Sequence, residues 1–375
     1  MSLHQPLCQN CKSKFIIDDY DVAFYKKMDV PWPTFCPDCR FQRRASYINV
    51  RNLYIRKFAD TGKSLISMYS QNKNLNIVED KDWWSDKYDL FSHGKDYDFK
   101  KPFFLQFDEL MKRSPLPHLQ RNYSTFENSD YCNAATGLKN CYLIICADYD
   151  ENCLYGFYVE NSKDCVDVIF TNKSELCYEG INLKQCYDCL FCEDCEGSNG
   201  LRFCRDCVGC NDCFGSIGLR HKSYYIFNKA YSKEEYQRKI AEFNIGSLSS
   251  LQNILNETNK HFLKYPQKFM HGRNNEDVSG DYIYQSKNVR ESFVVEKGED
   301  CKFTQILRYV NMGTNNAYDY TLFGVGAELV YEAAWCGLNV NNIKFSFWNY
   351  GATDLEYCFG CHNSEKLFGC IGLRH

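Results

Sequence analysis

Between residues 123 and 221 the buried positions are marked by one small residue type. Cysteines stand at 132, 141, 153, 165, 177, 186, 195, 204 and 213, and the gaps between them (9, 12, 12, 12, 9, 9, 9 and 9) are all multiples of three. An offset of 18 also superimposes Cys186, Cys189, Cys192 and Cys195 on Cys204, Cys207, Cys210 and Cys213. A repeat this short cannot hold a pair of helices. It predicts a β-solenoid whose coils stack about 4.8 Å apart, with an internal ladder of cysteines.

A longer duplication overlies the short one. Cys204, Cys207 and Phe214-Gly-Ser-Ile-Gly-Leu-Arg-His221 recur as Cys358, Cys361 and Phe368-Gly-Cys-Ile-Gly-Leu-Arg-His375, a displacement of 358 − 204 = 154. The second copy has Leu367 in place of Cys213 and Ser364 in place of Cys210. Such replacement is the behaviour of packing positions rather than of metal ligands. The first copy continues past His221 into Lys222-Ser-Tyr-Tyr, so the sequence predicts a chain that runs on beyond His375.

Helical periodicity appears in two places. Phe103, Phe104, Phe107, Leu110 and Met111 follow Pro102 at helical spacing, stopped by Pro115 and Pro117, and predict a packing helix. Ser232-Lys-Glu-Glu235 reads as a capping box leading into Tyr236, Ile240 and Phe243, with a second helix over about 248–264. This helical pair would either pack against a solenoid or plug its open end, which otherwise exposes strand edges. The expected organisation is a zinc ribbon with a basic tail (1–58), an α/β connector (59–122), solenoid segment 1 (123–221), a helical hairpin (222–273) and solenoid segment 2 (274–375). The fold class is mainly β with α insertions.

Composition changes this picture mainly through sulfur. The chain has 23 Cys in 375 residues, no apolar run that approaches a membrane span, and no apolar stretch at its start. Cytoplasmic location is the expectation, and there thiols stay reduced as metal ligands or buried groups. A net charge of −4 makes no whole-molecule case for nucleic acid.

Cys8-x2-Cys11 and Cys36-Pro37-Asp38-Cys39 each place two thiolates on one tight turn. Together they supply the four corners of a zinc tetrahedron with no open position, which makes Zn2+ here structural. With Asp21 to Lys27 (Asp-x2-Phe-Tyr-x-Lys) and Pro33 to Arg40 (Pro-x-x-Cys-Pro-x-Cys-Arg), the segment resembles the zinc-ribbon module of many small bacterial proteins. The longer arrangement, with Arg51-Asn-Leu-Tyr54 and Cys-rich repeats, is similar to uncharacterised proteins of candidate-phylum bacteria. Some of these carry a CaiB/BaiF-type CoA-transferase label. That resemblance would imply a large α/β fold and a catalytic aspartate, and no pattern in this sequence supports either.

Other chemistry is weighed residue by residue. From Arg40 to Ala59 there is no acidic residue, and Arg40, Arg43, Arg44, Arg51, Arg56 and Lys57 alternate with aromatics, as in a nucleic-acid footprint. The competing reading pairs those cations with Asp18, Asp19, Asp21 and Asp29. The runs Cys186 to Cys195 and Cys204 to Cys213 invite an extra metal or an iron–sulfur cluster. They lack the three-residue final gap and trailing proline of the bacterial ferredoxin motif. Cys358-Phe-Gly-Cys361-His362 matches a haem-attachment signature only formally. Gly62-Lys63-Ser64 lacks the upstream glycine of a phosphate loop. Asp148, Asp150, Glu151, Asp164 and Asp167 would serve a carbohydrate-active face, and His221 and His375 close the two copies. The function expected is a non-catalytic binding or scaffold protein for a protein or polymer partner. The alternatives are nucleic-acid binding through 40–57 and iron–sulfur redox chemistry.

Overall fold

The computed structural model describes residues 4–58, 61–307 and 342–374, and between these last two stretches 314–315, 318, 321, 327, 331–332 and 334–337. A β-solenoid of about 17 turns dominates it. In the first segment the strands Asn133–Thr136, Ile145–Asp148, Phe157–Glu160, Val166–Asn172 and Tyr178–Ile181 form one parallel sheet, with Asn133 opposite Ile145 and Ile145 opposite Phe157. Each coil is therefore 12 residues long. The 18-residue offset in the sequence is one and a half coils, so it relates opposite sides of the coil rather than stacked positions.

The coil is built from four triplets. In Cys141-Tyr142-Leu143 the cysteine points inward, Tyr142 bridges to Leu154 in the next coil, and Leu143 turns the corner at φ 50°. Ile144-Ile145-Cys146, Ala147-Asp148-Tyr149 and Asp150-Glu151-Asn152 repeat the pattern, with corners at φ 56°, 59° and 56°. Left-handed backbone costs a non-glycine residue roughly 1–2 kcal/mol. Two inter-coil backbone hydrogen bonds per triplet offset it: Tyr142 N donates to Cys153 O at 3.1 Å, and the corner residue Tyr155 donates from N to Tyr142 O at 3.0 Å. Along one corner, side-chain amides add a ladder from Asn128 through Asn140 and Asn152 to Asp164, at 3.0, 3.2 and 2.8 Å.

Four inward side chains per coil leave little room, and this accounts for the cysteines. Each is small and apolar, and its weak S–H donor satisfies a carbonyl, as Cys153 Sγ does with Glu151 O at 3.4 Å. The same inner positions accept Leu138, Ile144, Val159, Val168 and Leu201. Where an inner residue is serine, its hydroxyl also takes the inward N–H of the next coil: Cys186 N donates to Ser174 Oγ and Cys210 N to Ser198 Oγ, both at 3.1 Å.

Asp150 occupies one of these inner positions at 2% exposure. Its Oδ1 accepts from Ser162 N at 2.8 Å, Oδ2 has no hydrogen-bond partner, and burial pushes its pKa up to about 9. The folded chain holds this proton, whereas the unfolded chain releases it near the ordinary carboxylate value. Stability is thus full below about pH 4 and falls by about 1.4 kcal/mol per unit until the folded carboxyl ionises as well. In the second segment Asn349 Oδ1 accepts from Cys361 N at 2.9 Å, so an amide performs the same task. Asp150→Asn is expected to stabilise the protein by on the order of 3 kcal/mol at pH 7, with the gain disappearing near pH 4. Denaturant unfolding at pH 4, 7 and 9 measures this; a variant no more stable than the parent at pH 7 would mean that Asp150 is ionised in the fold.

The remaining elements position and cover the coils. Helices α1 (Asp19–Lys27) and α2 (Pro37–Ala45) belong to the cysteine module, and α3 (Asp80–Trp84) and α4 (Phe103–Arg113) to the connector. Helices α5 (Lys233–Ile240) and α6 (Leu248–Phe262) form the hairpin. The capping box at Ser232 and Glu235 is present, and the pair packs against aromatics of the last coils of segment 1, Phe214 stacking on Phe243 at 4.2 Å, while the short strand Lys229–Ala230 pairs with the edge strand Ser223–Ile226. In α4, Phe107, Leu110 and Met111 pack inward, but Phe104 is 67% exposed, which narrows the apolar face expected from its sequence. No helix among the described residues is long and apolar enough to cross a membrane.

The two solenoid segments lie side by side and run in opposite directions. Residues 184–206 meet 268–296 through Lys184–Glu296, Lys268–Asp206 and Arg273–Glu196, while Ala134, Ile145, Cys146 and Tyr158 meet Phe347, Trp348, Phe359 and Ile371. The seam is thus charged at one end and apolar at the other. In segment 2 the coil spacing stretches: Lys302 bridges Tyr318, Tyr318 bridges Tyr331 and Tyr331 bridges Lys344, steps of 16, 13 and 13, before 12 returns at Phe347 and Phe359.

Candidate metal centre

The first knuckle is a tight turn in which Cys8 N donates to Ser13 O at 2.9 Å, Lys12 N donates to Cys8 O at 3.1 Å, and Lys12 sits at φ 64°. Flanking bridges join Leu7 to Lys14 and His4 to Ile17 in antiparallel fashion. The second pair rides on α2: Cys36 is the N-cap, Pro37 fills the first turn and Cys39 follows within it. A helix N-terminus favours negative charge, so both thiols gain from their place there.

The four Sγ atoms of Cys8, Cys11, Cys36 and Cys39 lie within 4.8 Å of one another and could hold a metal ion. Cys11 Sγ and Cys36 Sγ are 3.7 Å apart, close to the roughly 3.8 Å edge of a tetrahedron of about 2.3 Å metal–sulfur bonds. Cys36 N donates to Cys8 Sγ at 3.2 Å and Asn10 Nδ2 to Cys39 Sγ at 3.4 Å. Burial alone would raise the Cys8 pKa, but amide donors from Cys36, Cys11 and Asn10 outweigh it and bring it down to about 6. Cys36 is pushed up to about 12, chiefly by burial and then by neighbouring thiols. Four thiolates this close repel one another, so a bound cation is what lets all four ionise together.

The module is docked on the stretched coils of segment 2. Phe24 stacks on Tyr318 at 3.7 Å, and Tyr25 meets Tyr331 edge-on at 5.5 Å. Lys302 Nζ reaches both Asp21 oxygens at 2.9 Å and Asp18 Oδ2 at 3.1 Å.

The basic tail is largely absorbed by the same packing. Arg40, Arg44 and Arg56 are buried. Arg40 binds Phe35 O and pairs with Glu332, and Arg44 Nε donates to Thr321 Oγ1. Arg56 holds the carbonyls of Ser70, Lys73 and Leu75. Arg43 also pairs with Glu332. Arg51, stacked over Phe157, and Lys57 are exposed. As a nucleic-acid surface the stripe therefore loses three of its six cations. The partners also differ from those expected: Arg40 and Arg43 turn to Glu332, and Asp18 and Asp21 turn to Lys302.

Cys186, Cys189, Cys192, Cys195, Cys204, Cys207, Cys210 and Cys213 are all buried at 0–2% exposure and spread round the four sides of the coil. Among the described residues, the module is the one group of three or more ligand atoms close enough to hold a metal ion, so these runs do not gather as a cluster site would require. Cys358 and Cys361 face the second core, and His362 is buried against Trp83, Trp84 and Trp348, with its pKa pushed down to about 3 by burial. The carboxylates likewise do not share one face: Asp150 points inward, Glu151 pairs outward with Lys163, and Asp164 takes the Asn152 amide. His221 is an exposed corner residue at φ 52°, and His375 lies outside the described residues.

A polar cleft of about 350 Å3 lies at the charged end of the seam, lined by Asp194, Glu196, Asp206, Lys268, His271 and Arg273 among others. Its ion pairs were invisible in the sequence, because they join residues as far apart as Glu196 and Arg273. No protein-family model matches the chain, and a search of curated proteins finds no match.

Proposed function

We propose that this chain is a zinc-braced, non-catalytic scaffold: a zinc ribbon clamped to a double β-solenoid whose long faces dock a protein or polymer partner in a reducing, cytoplasmic setting. The observation that carries the reading is the four-cysteine group itself, with four protein sulfurs close enough to share one ion. A complete set of protein ligands leaves no position for substrate, which supports a structural metal. The 22 cysteines whose side chains the structure describes form no disulfide, as a reducing compartment would keep them. The scaffold half rests on shape, since a solenoid presents repeated surface rather than one closed pocket.

Elemental analysis of anaerobically purified protein tests the metal. One zinc per chain and no iron is expected; stoichiometric iron with acid-labile sulfide would replace the scaffold with a redox protein. Salt-dependent binding to nucleic acid, lost on substituting Arg51 and Lys57, would instead favour the nucleic-acid reading.

A further inference from the structure

The packed interior of the solenoid also stacks thiols outside the metal module. Cys141, Cys153, Cys165, Cys177 and Cys189 occupy the same inner position in five successive coils, fixed by the pairings of Tyr142 with Leu154, Leu154 with Val166, Val166 with Tyr178 and Tyr178 with Leu190. All five are at most 2% exposed. Their S–H groups donate to backbone carbonyls, as Cys153 Sγ does to Glu151 O at 3.4 Å and Cys165 Sγ to Lys163 O at 3.2 Å, and the 12-residue register stacks each sulfur on the next. The result is an unbroken column of sulfur along the solenoid axis.

This geometry selects among metals. No three of these sulfurs converge, since the module is the one such group among the described residues, so tetrahedral zinc and iron–sulfur clusters are poorly served. Pairs are well served. Two metal–sulfur bonds of about 2.3 Å laid end to end span about 4.6 Å, close to the 4.7–4.9 Å between stacked strands. Two-coordinate, linear binding by soft sulfur suits a soft monovalent ion such as Cu(I).

We propose that the column from Cys141 to Cys189 binds Cu(I), one ion between each successive pair of sulfurs. Each incoming ion displaces one thiol proton, and the inner sulfurs each bridge two ions. Four ions therefore enter the four gaps, four protons leave, one thiol stays protonated, and no oxidant or reductant is needed. The loaded column has no net charge, which a dry interior requires. Because the column is sealed at its sides, loading takes place as the coils close.

The chain is refolded anaerobically with equimolar zinc and with Cu(I) held by a competing chelator, and bound copper and zinc are counted. Two variants read the column. Cys165→Ser removes one bridging sulfur and is expected to bind two fewer Cu(I). Leu201→Cys joins Cys189 to Cys213 in the same column and is expected to bind two more. Serine and leucine already stand in this column at Ser129 and Leu201, so Cys165→Ser suits the fold. If that variant misfolds, Leu201→Cys decides alone. X-ray absorption should show two sulfur neighbours per copper with zinc retained. Equal copper uptake by the parent and the folded variants, or uptake matched by zinc release, would overturn the proposal. The inference does not depend on which metal the module holds.

Discussion

Stripping the metal from the cysteine module, by chelation or by Cys39→Ser, is expected to unfold residues 4–45 and to loosen the middle of the second solenoid while leaving the first intact. The module has too little core to stand alone. Its buried apolar residues are Phe15, Ile17, Phe24, Tyr25 and Met28, and its two helices are nine residues each, below the length at which isolated helices hold. A structural zinc site is worth an apparent 10–16 kcal/mol, roughly, in small domains, and its loss cannot be absorbed by a core of this size. The consequence spreads because Tyr318 and Tyr331, covered by Phe24 and Tyr25, lie in the coils that carry extra residues. Amide hydrogen exchange measures the effect: protection should fall at Thr304 and Phe345 and persist at Val166 and Tyr178. Unchanged protection at Thr304 in the metal-free chain would mean that the module is an appendage rather than a brace.

Lys302→Met should be the most damaging single substitution at the same contact. The side chains of Lys302 and Asp21 are 7% and 2% exposed, and Asp18 and Asp21 form the capping box that starts α1. Burial raises the Asp21 pKa even with the ammonium present, so the carboxylate depends on Lys302 for its charge. Removing one partner of a buried pair typically costs about 3–5 kcal/mol, because the other charge is left uncompensated. Asp21→Asn in the Lys302→Met background keeps an oxygen to cap the helix and removes the stranded charge, so it should restore much of the loss. Thermal or denaturant unfolding of the parent, the two single variants and the double variant closes the cycle. Additive losses would show that Lys302 and Asp21 act independently.

Much of the architecture was legible along the chain. Cysteine gaps that are multiples of three reflect the inward residue of each triplet, and the capping box at Ser232 and Glu235 marks a helix that is present. The four module cysteines were legible because a metal site needs two short-spaced pairs, and spacing is local information.

What the tertiary structure alone decided are closures and partners. A coil of 12 rather than 18 follows from a left-handed corner at every third residue, including Leu143, Tyr155 and Phe170, where propensity gives no warning because inter-coil hydrogen bonds supply the compensation. Adjacent Asp150 and Glu151 part company, one into the core and one to solvent, through that same triplet geometry. Arg40 and Arg44, two cations of the stripe that reads as phosphate-binding, are buried against Glu332 and Thr321, more than 270 residues along the chain, which the side-by-side packing of module and solenoid brings to them. Local sequence fixes which residue types can face a dry interior; only the folded chain fixes which distant charges meet, because that depends on how successive coils stack and on which face another segment covers.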